Sequence, residues 1–544
     1  MSTFLAAASA FSLAPSADDG VSFDQRRGLP LLKLPYGTWR AHQYDQETEV
    51  YVFRNIRYAA PPVGDLRWAK PVPPEYIKGI QNGSYGLNCI PAPIPDGFFM
   101  PGKERLSRTS NEDCLFLDVY VSREVLKRPE RPVPVVVWIH GGGYVSGSKD
   151  QALEEGYYNG ASLIERAHNQ LIVVSINYRL GGFGFLAGEP LQEQGTFNAG
   201  LHDQRAALTW VQSYIHLLGG DPNHISAWGQ SAGAGSIVYH LIAEGGELDP
   251  LFRRAVLQSP NFGSNVRSEV YNKRFEDFAE AAGCPTDGVN ALSCLRAANS
   301  SILREANTRV FLGESSPVPD GKYIRHTALV EYAAGHNWKD IDSVIASHVI
   351  DEGSLFLTDP ITNGQLESFI TGNLPPNSPL QVERVTDLFK SLYPKSSEKE
   401  KLAAVYTNIL CTCPLRAVLK AYPDSAWAFQ YSYLDGIING KHAADMPATW
   451  YNPQLQDGVA IEPLFEQFQR YLTNHARTGN PNIPWSKDYQ LEDWPRVKGL
   501  DDKMPQDVLN MSNNGFEGIR DEQMSKVVCD TWTQALVDAL ERNS

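Results

Sequence analysis

The chain has 544 residues, 42% of them apolar and 10% aromatic, which is enough to build a large core and, on length alone, roughly two to four domains. Its formal net charge of −15 repels phosphate backbones and anionic lipid, so nucleic acid is excluded as a natural partner. No apolar run approaches the length needed to cross a bilayer.

Taken in chain order, the first signal is Phe4 to Ala14, apolar and rich in small residues. It reads as a short signal-peptide core, with Ala14-Pro15-Ser16 as an A-x-S cleavage site, although no Lys or Arg precedes it; an ordinary frayed terminus is the alternative. Residues 1–16 are therefore expected to be a signal peptide. Sequons at Asn82, Asn299 and Asn510 fit export but arise by chance in a chain this long. The stretches Pro71 to Pro74 and Pro91 to Pro101 read as surface loops. No linker, repeat or low-complexity block cuts the rest, so residues 22–541 read as one domain.

Val135 to Ile139 is apolar without alternation, the pattern of a parallel strand covered on both faces. It runs into His140-Gly141-Gly142-Gly143-Tyr144, where glycines let the backbone approach a ligand closely and offer consecutive N–H groups to an oxyanion; a flexible loop is the plainer reading. Leu171 to Ile176 is a second such strand. Leu201 to Leu218 has helical spacing through Ala206, Trp210, Val211 and Ile215 and stops at Gly219-Gly220. Ile225 to Trp228 is a third strand, followed by Gly229-Gln230-Ser231-Ala232-Gly233 and a helical stretch from Ala234 to Ala243. Strand, helix, strand and a G-x-S-x-G turn predict an α/β-hydrolase fold, a mostly parallel central sheet with helices on both faces. A further strand is expected at Trp427 to Tyr431, and the charged run Lys395 to Lys401 reads as a solvated helix start.

The G-x-S-x-G turn lifts a serine hydroxyl off a strand end and aims backbone N–H groups and a helix N-terminus at whatever the serine attacks. Alone it is a weak motif. The surrounding blocks make it specific. Phe53 to Ala59, Pro61 to Gly64, Glu112 to Leu117, the glycine run after His140, Asn177-Tyr178-Arg179, Asn198 to Gln204, Gly219 to Pro222 and the serine turn together resemble the type-B carboxylesterases, a family that includes cholinesterases and fungal secreted esterases and lipases.

The resemblance implies a Ser, acid, His order. Ser231 is the nucleophile. Two histidines follow the acid. His442, in His442-Ala443-Ala444-Asp445, resembles the family's His-Gly-x-Glu block, with Ala443 for Gly and Asp445 for Glu; His475 sits in a block that resembles a structural helix end. His442 is the expected base. Glu352, in Asp351-Glu352-Gly353-Ser354, is the expected acid, with Asp351 its local rival. The resemblance places the oxyanion hole on the backbone N–H groups of Gly142, Gly143 and Ala232, makes His140 structural, and pairs Arg67 with Glu112.

Of seven cysteines, the resemblance pairs Cys89 with Cys114, Cys284 with Cys294 and Cys413 with Cys529, and leaves Cys411 over. Seven reduced thiols in a cytoplasmic protein are the alternative. No Cys/His cluster has metal-ligand spacing and no dinucleotide fingerprint occurs, so no metal and no cofactor is expected.

The function read from these residues is a secreted serine ester hydrolase working through an acyl-enzyme on a small-molecule ester of short to medium acyl length. Two rivals stand beside it: a lipase or sterol esterase with a lidded apolar cleft, and a non-catalytic adhesion or scaffold member of the fold. Family lipases use the first disulfide loop as a lid. Here Ile90 to Asp113 carries few large apolar residues (Ile90, Ile94, Phe98, Phe99, Met100 and Leu106), four prolines at 91, 93, 95 and 101, and a polar second half with Lys103, Glu104, Arg105 and Arg108. Glu104 stands where cholinesterases place their choline-binding Trp, which disfavours that branch. Tyr144, Phe262 and Trp450 read equally as pocket lining or as core.

Overall fold

The computed structural model describes residues 19–23, 28–93, 110–150, 158–261, 267–286, 288–312, 315–357, 359–434, 439–452 and 462–543. Residues 1–16, expected to be a signal peptide, and the loop residues Phe98 to Met100, Glu104 and Phe262 lie outside them.

One sheet of eleven strands organises the chain: β1 (Gln43–Asp45), β2 (Val50–Arg57), β3 (Phe116–Ser122), β4 (Val133–Ile139), β5 (Ile172–Ile176), β6 (Gly220–Gln230), β7 (Arg254–Gln258), β8 (Ser343–Val349), β9 (Ala426–Tyr431), β10 (Val508–Ser512) and β11 (Gly515–Ile519). Their spatial order is β11-β10-β9-β8-β7-β6-β4-β5-β3-β2-β1. The strands from β5 to β10 pair in parallel, and antiparallel strands close both edges. Four short strands (Gly20–Phe23, Pro30–Leu34, Gly37–Arg40 and Ile80–Gln81) form a separate small sheet.

The unbroken apolar runs are explained by two core layers. Val135, Val137 and Ile139 of β4 enter one layer, and Val136 and Trp138 enter the other. On β5, Ile172, Val174 and Ile176 face the first layer and Val173 the second. A strand covered on both faces has no polar face to show. Each fully buried Val or Ile side chain contributes about 1.5–3 kcal/mol relative to exposure, so the strand ends that carry the site are rigidly held.

Helices α1 (Ala199–Tyr214) and α2 (Ala232–Leu241) cover the first layer, as do α3 (Glu398–Tyr406), α4 (Cys413–Ala421) and, toward the C-terminus, α6 (Lys526–Asn543). Helix α5 (Glu462–Thr478) covers the second through Phe465, Phe468, Leu472 and Ala476. The predicted helix to Leu218 ends in a 3-10 turn, Ile215–Leu218, where Gly219 adopts φ 85°. The charged run opens α3 through a capping box: Ser397 accepts from the Glu400 N–H while the Glu400 side chain accepts from Ser397. The continuous stretch Glu398–Ala421 is, by length and composition, apolar enough to span a membrane, a feature the sequence reading missed. Its apolar window is 78% buried inside the protein, which makes it a core helix.

Of the three sequons, Asn82 and Asn299 are exposed. Asn510 is buried in β10 with its side chain bonded to Ser432 and Glu517, which withdraws it from modification.

Candidate active site

Strand β6 ends at Gln230 and α2 begins at Ala232, so Ser231 alone makes the turn. It holds φ 56° and ψ −125°, a conformation that costs a non-glycine residue of order 1–3 kcal/mol. The turn is locked from both sides: Ser231 N–H donates to Gln258 O at 2.9 Å, and Ser231 O accepts from Gly235 at 2.9 Å and Asn261 at 3.2 Å. The flanking glycines are steric necessities. A Cβ on Gly233 would lie 2.0 Å from Ile139 O, and one on Gly229 2.6 Å from the Gly233 carbonyl carbon. Beneath α2, Ser236 donates to Ala232 O at 2.8 Å and accepts from Gln204 at 2.9 Å, while His240 joins Gln204 at 3.0 Å to Tyr323 at 2.8 Å.

The glycine run leaves β4 and packs on this turn. A Cβ on Gly141 would sit 2.7 Å from Gln230 O and 3.1 Å from Ser231 Cβ. Gly142 (φ 109°) and Gly143 (φ 60°) turn the backbone, with Gly142 O accepting from Val145 and Ser146 and Gly143 O from Ser315. The N–H groups of Gly142 and Gly143 have no acceptor among the described residues, and that of Ala232 lies at a helix N-terminus, where the first amides are left unpaired. His140 is buried, stacks on Tyr178 at 4.4 Å and bonds Gly141 O at 2.8 Å; burial lowers its pKa to about 4, so it stays neutral.

Glu352 follows β8 and His442 follows β9. His442 Nδ1 donates to Glu352 Oε2 at 2.5 Å, and Val349 N–H donates to Glu352 Oε1 at 2.8 Å. Burial alone would push the Glu352 carboxyl up; the attraction of His442 and these hydrogen bonds outweigh it and hold the group below its ordinary value. An ionised carboxylate on Nδ1 requires the proton there, so Nε2 carries the lone pair. That nitrogen accepts from Gln230 Nε2 at 3.3 Å. No hydrogen bond joins Ser231 Oγ to it among the described residues; the imidazole stands beside the serine turn through the residue that precedes the serine.

The rivals lie elsewhere. Asp351 bonds the Ser354 N–H and hydroxyl. His475 is buried in α5 against Ser343 Oγ at 2.9 Å, its pKa lowered to about 3 by burial. Ala443 adopts φ 71°, the left-handed region where the family block has glycine, so the turn after His442 forms despite the substitution. Tyr144 joins the first core layer and Trp450 the second, where it packs on Trp138 at 5.0 Å; of the two readings, core packing holds for both. Arg67 grips Glu112 through two 2.7 Å contacts.

Several groups around the site had no local signal in the sequence. Gln258 ties the two halves together: its carbonyl holds Ser231, and its Nε2 donates to Asp445 Oδ2 and Thr449 Oγ1, both at 2.8 Å. Asp445 is buried, and burial together with the Glu352 charge raises its pKa to about 7. His348 Nε2 meets Asp521 Oδ2 at 2.6 Å, both fully buried. Burial would lower the His348 pKa, and the Asp521 charge overrides it to about 9. Of these, Asp445 alone stood in a block the sequence marked, His442-Ala443-Ala444-Asp445, where it takes the place of the family's Glu.

Disulfides join Cys89 to Cys114, Cys284 to Cys294 and Cys413 to Cys529, and Cys411 is a buried free thiol.

A serine turn, a glycine run and a buried imidazole–carboxylate pair at the parallel-strand ends of this sheet define a hydrolase of the α/β type. Residues 29–532 match the carboxylesterase family model, and the chain belongs to that family. It is 39% identical over 520 residues to a secreted lipase of Arthroderma benhamiae, an alignment covering 94% of each chain. It is 30% identical over 497 residues to lipase 1 of Geotrichum candidum, covering 80% of this chain and 85% of the relative. The crystal structure of Aspergillus niger EstA superposes with a TM-score of 0.76 at 27% identity, covering 94% of this chain and 99% of that one. The protein is a carboxylic ester hydrolase on an α/β-hydrolase fold, which sets the non-catalytic reading aside.

Proposed function

We propose that the protein is an exported serine esterase in which Ser231 attacks an ester carbonyl, His442 Nε2 takes its proton, and Glu352 holds the imidazole and stabilises the imidazolium. The N–H groups of Gly142, Gly143 and Ala232 receive the oxyanion. The alcohol leaves with the proton from His442, and water hydrolyses the acyl-enzyme by the same route. The observation that carries this reading is the 2.5 Å bond between Glu352 and His442 Nδ1, which leaves Nε2 as a lone-pair base beside the strained Ser231 turn. For the first contact to form, Ser231 Oγ must replace Gln230 at Nε2.

Export is supported by three disulfides and by the relative named as a secreted lipase. In this reading residues 1–16 are a leader and 22–541 one catalytic domain, which the single sheet from β1 to β11 supports. A small-molecule ester of short to medium acyl length is the substrate, because the prolines and charges of the first disulfide loop are unsuited to a broad apolar lid. The lipase reading is kept because both relatives described above bear that name. A panel of p-nitrophenyl esters of rising acyl length, with Ser231→Ala as control, tests the proposal. Rates should peak at short to medium chains and vanish in the control. A sharp rise at the solubility limit of a triglyceride, with strong activity on long-chain emulsions, would favour the lipase. Unchanged activity in Ser231→Ala would refute the mechanism.

A further inference from the structure

The stretch Glu398–Ala421 is not a plain α-helix. A π-helical segment, Thr407–Thr412, interrupts it between α3 and α4. Such an inserted residue re-aims the side chains of one turn and is frequent at functional sites. Here the segment contains Cys411, fully buried, while the next cysteine, Cys413, is bonded to Cys529. Six of the seven cysteines are in disulfides, so Cys411 is the one free thiol of the chain. It faces the acid–base pair. A carboxylate oxygen of Glu352, Sγ of Cys411 and a ring nitrogen of His442 lie within 4.8 Å of one another. The three residues come from three separate segments of the chain, which is why no ligand spacing marks them in the sequence.

A thiolate, an imidazole and a carboxylate are the ligand types that zinc-class cations take, and magnesium and calcium prefer all-oxygen sites. The charges also suit a divalent ion. Glu352 is a buried anion; with Cys411 as thiolate and His442 neutral, two negative ligands would balance one M²⁺. We propose that Glu352, Cys411 and His442 form an inhibitory site for a thiophilic divalent cation of the zinc class, the ion replacing the hydrogen bond between the carboxylate and the imidazole. The inference rests on the roles given above to His442 and Glu352.

The chemistry balances with one proton released. The thiol gives its proton to solvent as the metal–sulfur bond forms. The Nδ1 proton of His442 is exchanged for one on Nε2, so that Nδ1 can ligate. Nitrogen and oxygen ligands of a tetrahedral zinc stand about 3.4 Å apart, whereas Nδ1 and Oε2 are now 2.5 Å apart. Binding must therefore open the pair. Inhibition follows twice over: the carboxylate no longer orients the imidazole, and Nε2 loses the lone pair that would take the Ser231 proton.

The test uses the full-length, disulfide-intact enzyme. Cobalt(II) is titrated into it and the thiolate-to-cobalt charge-transfer band is followed in the near ultraviolet; zinc chloride is titrated separately against ester hydrolysis. The band should appear in the wild type and be absent in Cys411→Ala. Zinc should inhibit reversibly to EDTA, and Cys411→Ala should need at least about 30-fold more zinc for half-inhibition, each protein measured against its own zinc-free rate. Calcium and magnesium at the same concentrations should leave the rate unchanged. Cys411→Ser serves in the same way if the alanine variant does not fold. Absence of the band in the wild type, or equal zinc sensitivity in wild type and variant, overturns the site. If the zinc-free wild type hydrolysed no ester, the functional reading would fail, and the cobalt band would still decide the site.

Discussion

Ser231 and the glycine run reach the site by backbone geometry, whereas Glu352 and His442 reach it by side chains from loops after two different strands. The first half is the turn Gly229 to Gly233 with the glycine run packed on it, where Gly141, Gly229 and Gly233 are forced by contacts of 2.0 to 2.7 Å. The second half is a buried cluster of ionisable groups: Glu352, His442, Asp445, Cys411 and the His348–Asp521 pair behind them. The difference teaches where each kind of sensitivity resides. The nucleophile half should fail by steric damage, and the acid–base half by changes of charge and proton.

The largest effect is expected in the acid–base half. His442→Ala and Glu352→Ala should each lower kcat by about three powers of ten or more while leaving the circular dichroism spectrum unchanged. Near-normal turnover in His442→Ala would break the comparison at its core. In the nucleophile half the expectation inverts. Gly233→Ala puts a methyl 2.0 Å from Ile139 O, so it should cost about 3 kcal/mol in urea unfolding as well as activity. A fully stable but inactive Gly233→Ala protein would show that this half, too, can fail without steric cost.

Charge then distinguishes the halves by pH. Asp445 has its pKa raised to about 7, so the protonated form is the one the fold favours. Its stabilisation is complete below the unfolded value near 4 and is lost as pH rises through about 7. His348, raised to about 9 by Asp521, stabilises fully below about 6.5 and loses that contribution as pH rises through about 9. Each window is worth on the order of 3 kcal/mol. Unfolding free energy should therefore fall from pH 4 to 9, with Asp445→Asn flattening the lower part and His348→Gln the upper. A wild-type profile without slope across this range would remove both groups from the account. The smallest effect is at Ala443, whose φ of 71° suits glycine better. Ala443→Gly should raise stability by about 1 kcal/mol with activity retained, read by the same urea titration.

What was legible in the sequence follows the same division. The serine turn and the glycine run could be read directly, because their chemistry lies in consecutive residues. The strands β4, β5 and β6 were visible as unbroken apolar runs for the same local reason. Glu352 and His442 were reached through family resemblance, since nothing in their own neighbourhoods distinguishes a catalytic carboxylate or histidine. Gln258, Cys411 and the His348–Asp521 pair were not legible. Their partners lie 27 to 191 residues away, and only the pairing of parallel strands and the π-helical segment brings them together. The apolar stretch ending at Ala421 escaped because charged Lys399 and Lys401 open it.

The central claim is that Ser231 is an activated nucleophile beside an oxyanion hole. An organophosphonate reports this directly, because it reacts covalently only where such a serine exists. Incubation of the folded protein followed by peptide mass mapping should find one adduct, on Ser231, and none in His442→Ala over the same interval. An adduct on another residue, or an unlabelled wild-type protein that retains its native circular dichroism, would contradict the account.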